Sequence, residues 1–335
     1  MILLSIMTSM ACSPQPHPAP PLVDQETAAP RIDPAAWGTD HVGQDHPEYL
    51  VGGECLFCHR DDVGSKWAVN QHNRTVRLAE PDDPVVRALA ENPNTAPFAQ
   101  TVQFLIGHHR HVRFLKPSQA YGKLDLLAPV ASQPASVGTT DAPAKLLQTD
   151  NPQWDTETFA QSCAGCHTTA VNTQRRQFSA IALDCYTCHG NTPVEHANEP
   201  TLMHFAKNRK DDPRVVTSIC AQCHIRTGKS KSTGLPYPNT FVPGDNLFKD
   251  FQIDFALADS PEVNPSDRHV LANVRDVTLL GKHDMTCLTC HEIHRDSTRR
   301  HRRQDVTAYC FICHDQSDVK KPIPPYEVHS DLCGY

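Results

Sequence analysis

Twelve of the fourteen cysteines in this 335-residue chain fall into six C-x-x-C pairs, and a histidine follows every pair directly. They are Cys55–Cys58–His59, Cys163–Cys166–His167, Cys185–Cys188–His189, Cys220–Cys223–His224, Cys287–Cys290–His291 and Cys310–Cys313–His314. Thiols three residues apart on a helical turn share one side of it. That spacing suits bonds from both sulfurs to the two vinyl groups of one haem, with the adjacent imidazole reaching the iron from beneath the ring. Zinc needs four ligands, usually from two C-x-x-C pairs, and has no use for a histidine after each pair. With 20 His in 335 residues, six such followers arise by chance with odds on the order of 10⁻⁷ or lower. The pattern therefore predicts six covalently bound c-type haems, with these twelve cysteines as attachment points and these six histidines as proximal iron ligands.

The second axial ligand decides what each iron can do. Methionine raises the potential, and an open position admits a substrate. Beyond the N-terminal apolar run only Met203 and Met285 remain, against fourteen histidines outside the motifs. Bis-histidine coordination with rather low potentials is the expectation. The distal candidates are His72, His196, His204, His283, His294 and His329. His196 and His294 lie too close to their own motifs to cross to the far face of the same haem, so each would serve a neighbouring one. A surface position or a bond to a haem propionate is the alternative for every candidate. His108, His109 and His111 sit on a predicted strand, where a surface role outweighs ligation.

The elements that must position these groups are short. Only 39% of residues are hydrophobic, with 28 Pro and 15 Gly, which points to a loop-rich chain with little aliphatic core. Porphyrin faces would supply the missing apolar surface. The expected fold is mainly α with extensive irregular loops, a multihaem cytochrome c organised around stacked haems, with a small β-hairpin insertion. Short helices are expected around the motifs, as at Phe159 to His167 and Arg214 to His224. The segment Thr101 to Leu115, a turn near Tyr121-Gly122 and the run KLDLLAPVA predict the hairpin. The motif spacing divides the chain into a signal segment (1–12), a Pro-rich linker (13–47), a first-haem segment (48–97) and a β-hairpin insertion without haem (98–155). A three-haem cluster (156–230), a connecting segment (231–282) and a two-haem C-terminal segment (283–335) follow.

Residues 1 to 11 form an apolar run too short to span a bilayer, and they resemble the core of an export signal without its positive start. Ser9-Met10-Ala11-Cys12 is similar to a lipoprotein cleavage site, so a lipidated Cys12 attached to a membrane and a simply cleaved signal both fit. The expected location is periplasmic, or anchored at the outer membrane as a lipoprotein. The remaining thiol, Cys333, reads as free or intermolecular. Net charge is −7 with neutral histidines, and haem propionates add to it, which argues against nucleic acid as a partner. The basic run Arg299–Arg303 would neutralise propionates, dock a partner, or sit in a solvated loop.

Several segments resemble the multihaem family that contains the tetrahaem electron carrier partnering hydroxylamine oxidoreductase. They are Tyr49-Leu-Val-Gly52 with Trp67 and His72, Phe159 to Thr169, Leu183 to Gly190 through His196, Cys220 to His224 with Pro243-Gly-Asp245, Cys287 to His294, and the hairpin around Ile106-Gly107. Together they cover most of residues 49 to 315. The resemblance implies an axial role for His72 and an electron-carrier function. Six motifs in place of four leave its ligand assignments for the last two haems open. The family also holds members with one five-coordinate haem. The leading function is thus electron transfer between a donor and an acceptor redox protein. The alternative is an oxidoreductase in which one five-coordinate haem reduces a nitrogen or sulfur oxyanion. The sequence leaves the oligomeric state open. The purified, denatured protein is expected to retain six haems by intact mass, and the chain expressed without haem attachment is expected to lack a cooperative unfolding transition by circular dichroism.

Overall fold

The computed structural model describes residues 39–107, 111–133, 144–206, 209–280 and 285–294. The signal segment with Cys12, the linker up to residue 38, His108 and His109, His283, the basic run 299–303, the sixth motif (Cys310, Cys313, His314), His329 and Cys333 lie outside the described residues.

The largest element is an antiparallel sheet of five short strands, β1 (Val76–Leu78), β2 (Phe104–Ile106), β3 (Arg113–Pro117), β4 (Leu124–Ala128) and β7 (Gln153–Asp155), ordered β1-β2-β3-β4-β7. Between its last two members, β5 (Ala131–Gln133) and β6 (Lys145–Leu147) form a separate ribbon. Two further ribbons pair β8 (Thr168–Asn172) with β9 (Gln177–Ile181), and β10 (Lys229–Ser230) with β11 (Phe251–Gln252).

Side chains alternate across the large sheet, as its period of two requires, and both faces are covered. Val76, Ile106, Leu115, Leu124 and Leu126 pack with Phe159, Ala164, Val171, Phe178 and Tyr237, the face that carries the second motif. Leu105, Phe114 and Leu127 turn the other way, onto Val85 and Leu89 of the helix Pro84–Glu91 and onto Val102, Val112 and Val130. Leu115 faces Leu126 across the ladder, and both are almost wholly buried. Burying each such leucine stabilises the fold by roughly 1.5–3 kcal/mol. A third apolar cluster joins the helix Pro213–His224, through Ala221, to Leu247, Phe248, Phe251, Phe255, Leu271 and Val274.

That helix, with 12 residues, is the longest among the described elements. Pro213 sits in its first turn, and the Asp212 carboxylate accepts the Arg214 N–H at 2.8 Å. A proline in this position loses no helical hydrogen bond, and the cap satisfies one of the unpaired amides.

The expectation of a mainly α fold is overturned. Helices hold 38% of the described residues and strands 18%, in several small sheets. The reason is element length. The described strands have two to five residues, too few for an alternation to stand out, and β8 and β9 follow the second motif directly, where a motif helix was the expected element. The 101–115 region also differs from the single strand expected. It splits at Gly107 (φ +89°) into β2 and β3, which pair with each other. The helix expected over Phe159 to His167 breaks at Cys163 into Thr158–Ser162 and Ala164–His167. Among the described residues no helix is long and apolar enough to cross a membrane.

Leu126→Ala is expected to lower the unfolding free energy of the holoprotein by about 2–5 kcal/mol, read by denaturant titration.

Candidate haem-attachment sites

Four of the five described motifs start on a helix, and the second starts at Cys163, in the break between Thr158–Ser162 and Ala164–His167. The first lies on Gly52–Cys58, with His59 just past its end. The third occupies Cys185–His189, capped by Asp184, whose carboxylate accepts the Tyr186 N–H. The fourth ends the helix Pro213–His224. The fifth occupies Cys287–Cys290, where Thr286 and Thr289 form a reciprocal capping box. Two thiols three residues apart therefore emerge on one side of a single turn. All ten described cysteines are free thiols rather than disulfides.

Thiols from different motifs meet. Cys55 lies in hydrogen-bond contact with Cys185, Cys166 with Cys223, and Cys220 with Cys287. Cys188 lies close enough to Cys220 and Cys223 to act on both electrostatically. Burial pushes the Cys163 and Cys188 thiols up to about 11, so both are neutral across the physiological range.

The imidazoles are held by their Nδ1 atoms. His167 Nδ1 lies 3.1 Å from the Thr75 carbonyl oxygen, His189 Nδ1 2.7 Å from that of His204, and His196 Nδ1 2.7 Å from that of Pro193. A carbonyl only accepts, so Nδ1 carries a proton in all three rings, which makes Nε2 the nitrogen able to bind a metal when the ring is neutral. His72 Nδ1 meets Asn70 Oδ1 at 3.2 Å, and His59 Nδ1 meets Asp62 Oδ2 at 3.0 Å, to the same effect. Burial drives His189 down to about 4, leaving its ring neutral, the form that binds a metal.

Three pairs of rings stand at a common separation. His59 and His196 have centroids 6.1 Å apart, His72 and His224 6.1 Å, and His189 and His294 6.0 Å. Two imidazoles bound to opposite sides of one metal, each at about 2 Å, have centroids about 6 Å apart. The residues present thus fit a metal centre between each pair, and every pair joins one motif histidine to a distal candidate from elsewhere in the chain.

Of the remaining sequence candidates, His204 directs Nδ1 toward Asp211 Oδ1 at 3.3 Å, and its Nε2 lies against Gly244. His111 is exposed. Sequence reasoning passed over the groups that orient these rings. Asp62 follows its histidine by three residues and was open to detection. The carbonyls of Thr75, Pro193 and His204 have no side-chain signature. Gly165, between the second motif's cysteines, was also missed. A Cβ there would stand 2.1–2.4 Å from the Tyr237 ring, which is buried against the motif and donates its hydroxyl to the Ala160 carbonyl.

Comparison with known proteins gives one family, described as a doubled CXXCH motif, matching residues 281–319 and so spanning the fifth and sixth motifs. No curated protein matches the chain. Among solved structures, an undecaheme cytochrome from the S-layer of Carboxydothermus ferrireducens is similar over 79% of this chain, with 18% identity and a TM-score of 0.42. This chain spans 42% of the length of that one.

Gly165→Ala is expected to destabilise the holoprotein by about 1–3 kcal/mol through overpacking against Tyr237. Gly53→Ala, whose Cβ would meet only Val51 at 3.9 Å, serves as the control and is expected to leave the unfolding midpoint in place or raise it.

Proposed function

We propose that this chain, a multihaem c-type cytochrome, carries six covalent haems and relays electrons between a donor and an acceptor redox protein outside the cytoplasm. The observation that carries the reading is the set of three imidazole pairs at one-metal separation. A haem iron held between two neutral imidazoles exchanges single electrons and offers no open position to a substrate.

The chain's own residues supply the rest. His59 with His196, His224 with His72, and His189 with His294 are the axial pairs we assign. In each pair the Nδ1–H bonds fix tautomer and ring orientation, the part that outer hydrogen bonds play around metal-bound imidazoles. The Cys55–Cys185, Cys166–Cys223 and Cys220–Cys287 contacts bring attachment points from different motifs side by side. The first site then adjoins the third, the third adjoins the fourth through Cys188, and the second and fifth both adjoin the fourth. The order in space differs from the order in sequence, and the fourth site is the hub. Short steps between neighbouring sites are what a relay needs. The resemblance to the tetrahaem carrier family agrees with this role. Lipidation at Cys12 would hold the relay at a membrane surface.

Low-temperature EPR of the oxidised holoprotein tests the reading. Low-spin ferric signals alone, unmoved by nitrite, are expected. A high-spin signal that shifts with nitrite would instead favour an oxidoreductase with one five-coordinate haem. His196→Ala is expected to convert one low-spin signal to high spin. The same substitution at His204 tests the remaining described candidate: loss of a low-spin signal there would add His204 to the ligand set and displace His196.

A further inference from the structure

Between the first and third motif helices lies a half-buried carboxylate that the relay itself does not use. Asp184 immediately precedes Cys185, and its side chain reaches across to the segment that leads into the first motif. The Tyr49 hydroxyl donates to Asp184 Oδ2, and the Gly52 N–H points to the same oxygen at 3.4 Å. The Tyr186 N–H donates to Oδ1 at 3.0 Å. The Asp184 backbone N–H donates to the Thr169 hydroxyl on β8 at 3.1 Å. Gly52, Thr169 and Tyr186 are all buried, so the carboxyl sits in a cleft closed on three sides.

Among the described residues no Lys, Arg or His forms an ion pair with Asp184. The titratable groups that face it are Tyr49 from the entering segment, Cys55 and Cys185 from the two motif helices, and Tyr186 beside it. His46 lies beyond the Tyr186 ring, with centroids 6.5 Å apart. In the holoprotein both cysteines are thioethers and no longer titrate, and so is Cys188, the other thiol that feels the Asp184 charge. Tyr49 packs edge-on to Tyr186 at 5.2 Å, which leaves Asp184 and Tyr49 as the pair able to exchange a proton. Burial raises Asp184 above the usual carboxylate range against the pull of its donors, and burial followed by the Asp184 contact raises Tyr49.

We infer that Asp184, hydrogen-bonded to Tyr49, is a redox-linked proton site serving the two haem attachments that meet at Cys55 and Cys185. The inference rests on the electron-relay reading above. In the linked step Asp184 takes one proton from solvent, passing from carboxylate to carboxylic acid, as one iron of this pair accepts one electron from an external one-electron reductant and passes from ferric to ferrous. Charge at the junction is then unchanged, where an electron alone would remove the ferric iron's net positive charge and leave the carboxylate's negative charge unbalanced. By reciprocity, protonation raises the potential of that iron as much as reduction raises the proton affinity of Asp184.

Spectroelectrochemical titration of the holoprotein at a series of pH values tests this. One of the haem potentials is expected to fall with pH by up to about 59 mV per unit, the value of a tenfold change for a one-electron couple, within a bounded window. Asp184→Asn keeps the helix cap and the size of the side chain, and it is expected to abolish that slope. Tyr49→Phe removes a donor to the carboxylate and is expected to shift the window to higher pH. An unchanged slope in Asp184→Asn overturns the inference; should that variant fail to fold, an unmoved window in Tyr49→Phe overturns it equally. A protein with no reversible haem titration at all would count against the relay reading rather than against Asp184.

Discussion

The hydrogen bond from an imidazole Nδ1–H to a fixed oxygen is the interaction on which the rest of this structure depends. It costs the chain very little, since the acceptors are mostly main-chain carbonyls left over at the ends of short elements. It nevertheless decides which nitrogen carries a proton and which way the ring faces, while burial keeps a ring such as His189 neutral. Thr75, Pro193 and His204 supply such carbonyls, and none of them would draw attention in a search for functional side chains. The β1 strand begins directly after Thr75, so the five-stranded sheet helps to set the position of His167. Asn70 extends the arrangement, meeting His72 with its side-chain oxygen and donating its amide to the Ile293 carbonyl at 2.6 Å. First and fifth motif segments are locked together through one residue.

A chain so poor in aliphatic residues still builds three apolar clusters of its own. They lie on either face of the five-stranded sheet and against the helix Pro213–His224, and they reach the motifs through Ala164 of the second and Ala221 of the fourth. The motif turns themselves bury few large side chains. Apolar peptide surface is concentrated where it can hold rigid elements, and the motif region is left to be filled by the cofactor. That division explains how low overall hydrophobicity coexists with fully buried leucines such as Leu105, Leu115 and Leu127.

The chemistry was far more legible in the sequence than the architecture. Covalent attachment needs residues adjacent in the chain, so Cys55 to His59 and its counterparts announce themselves without any knowledge of the fold. The distal histidines were readable as a set, because methionine is scarce and histidine abundant. Their partners were not, because a distance such as that between His72 and His224 is settled by tertiary packing alone. The sheet was read only where Val, Ile, Leu and Phe cluster, in residues 101–115 and in the run KLDLLAPVA that holds Leu124–Ala128. Strands such as Val76–Leu78 and Thr168–Asn172 are too short to carry a periodic signal, and they exist because a neighbouring strand offers hydrogen-bond partners. A mainly α expectation followed from seeing the motif turns and not the ladders between them. Tyr237 shows the same limit at a single residue: its packing on Gly165 joins positions 72 apart in the chain.

The axial pairs have a further consequence, for maturation. A chain exported from its N-terminus presents His59 long before His196, and His189 long before His294. Only His224 finds its partner, His72, already across. Under the proposed pairing the first and third irons would remain half-ligated while later segments are still arriving, and the third would close only after the fifth motif has passed. Attachment and folding are then separate events in time. The sites written first along the chain are not the first to be finished, and His294, just beyond the fifth motif, completes the third site upstream.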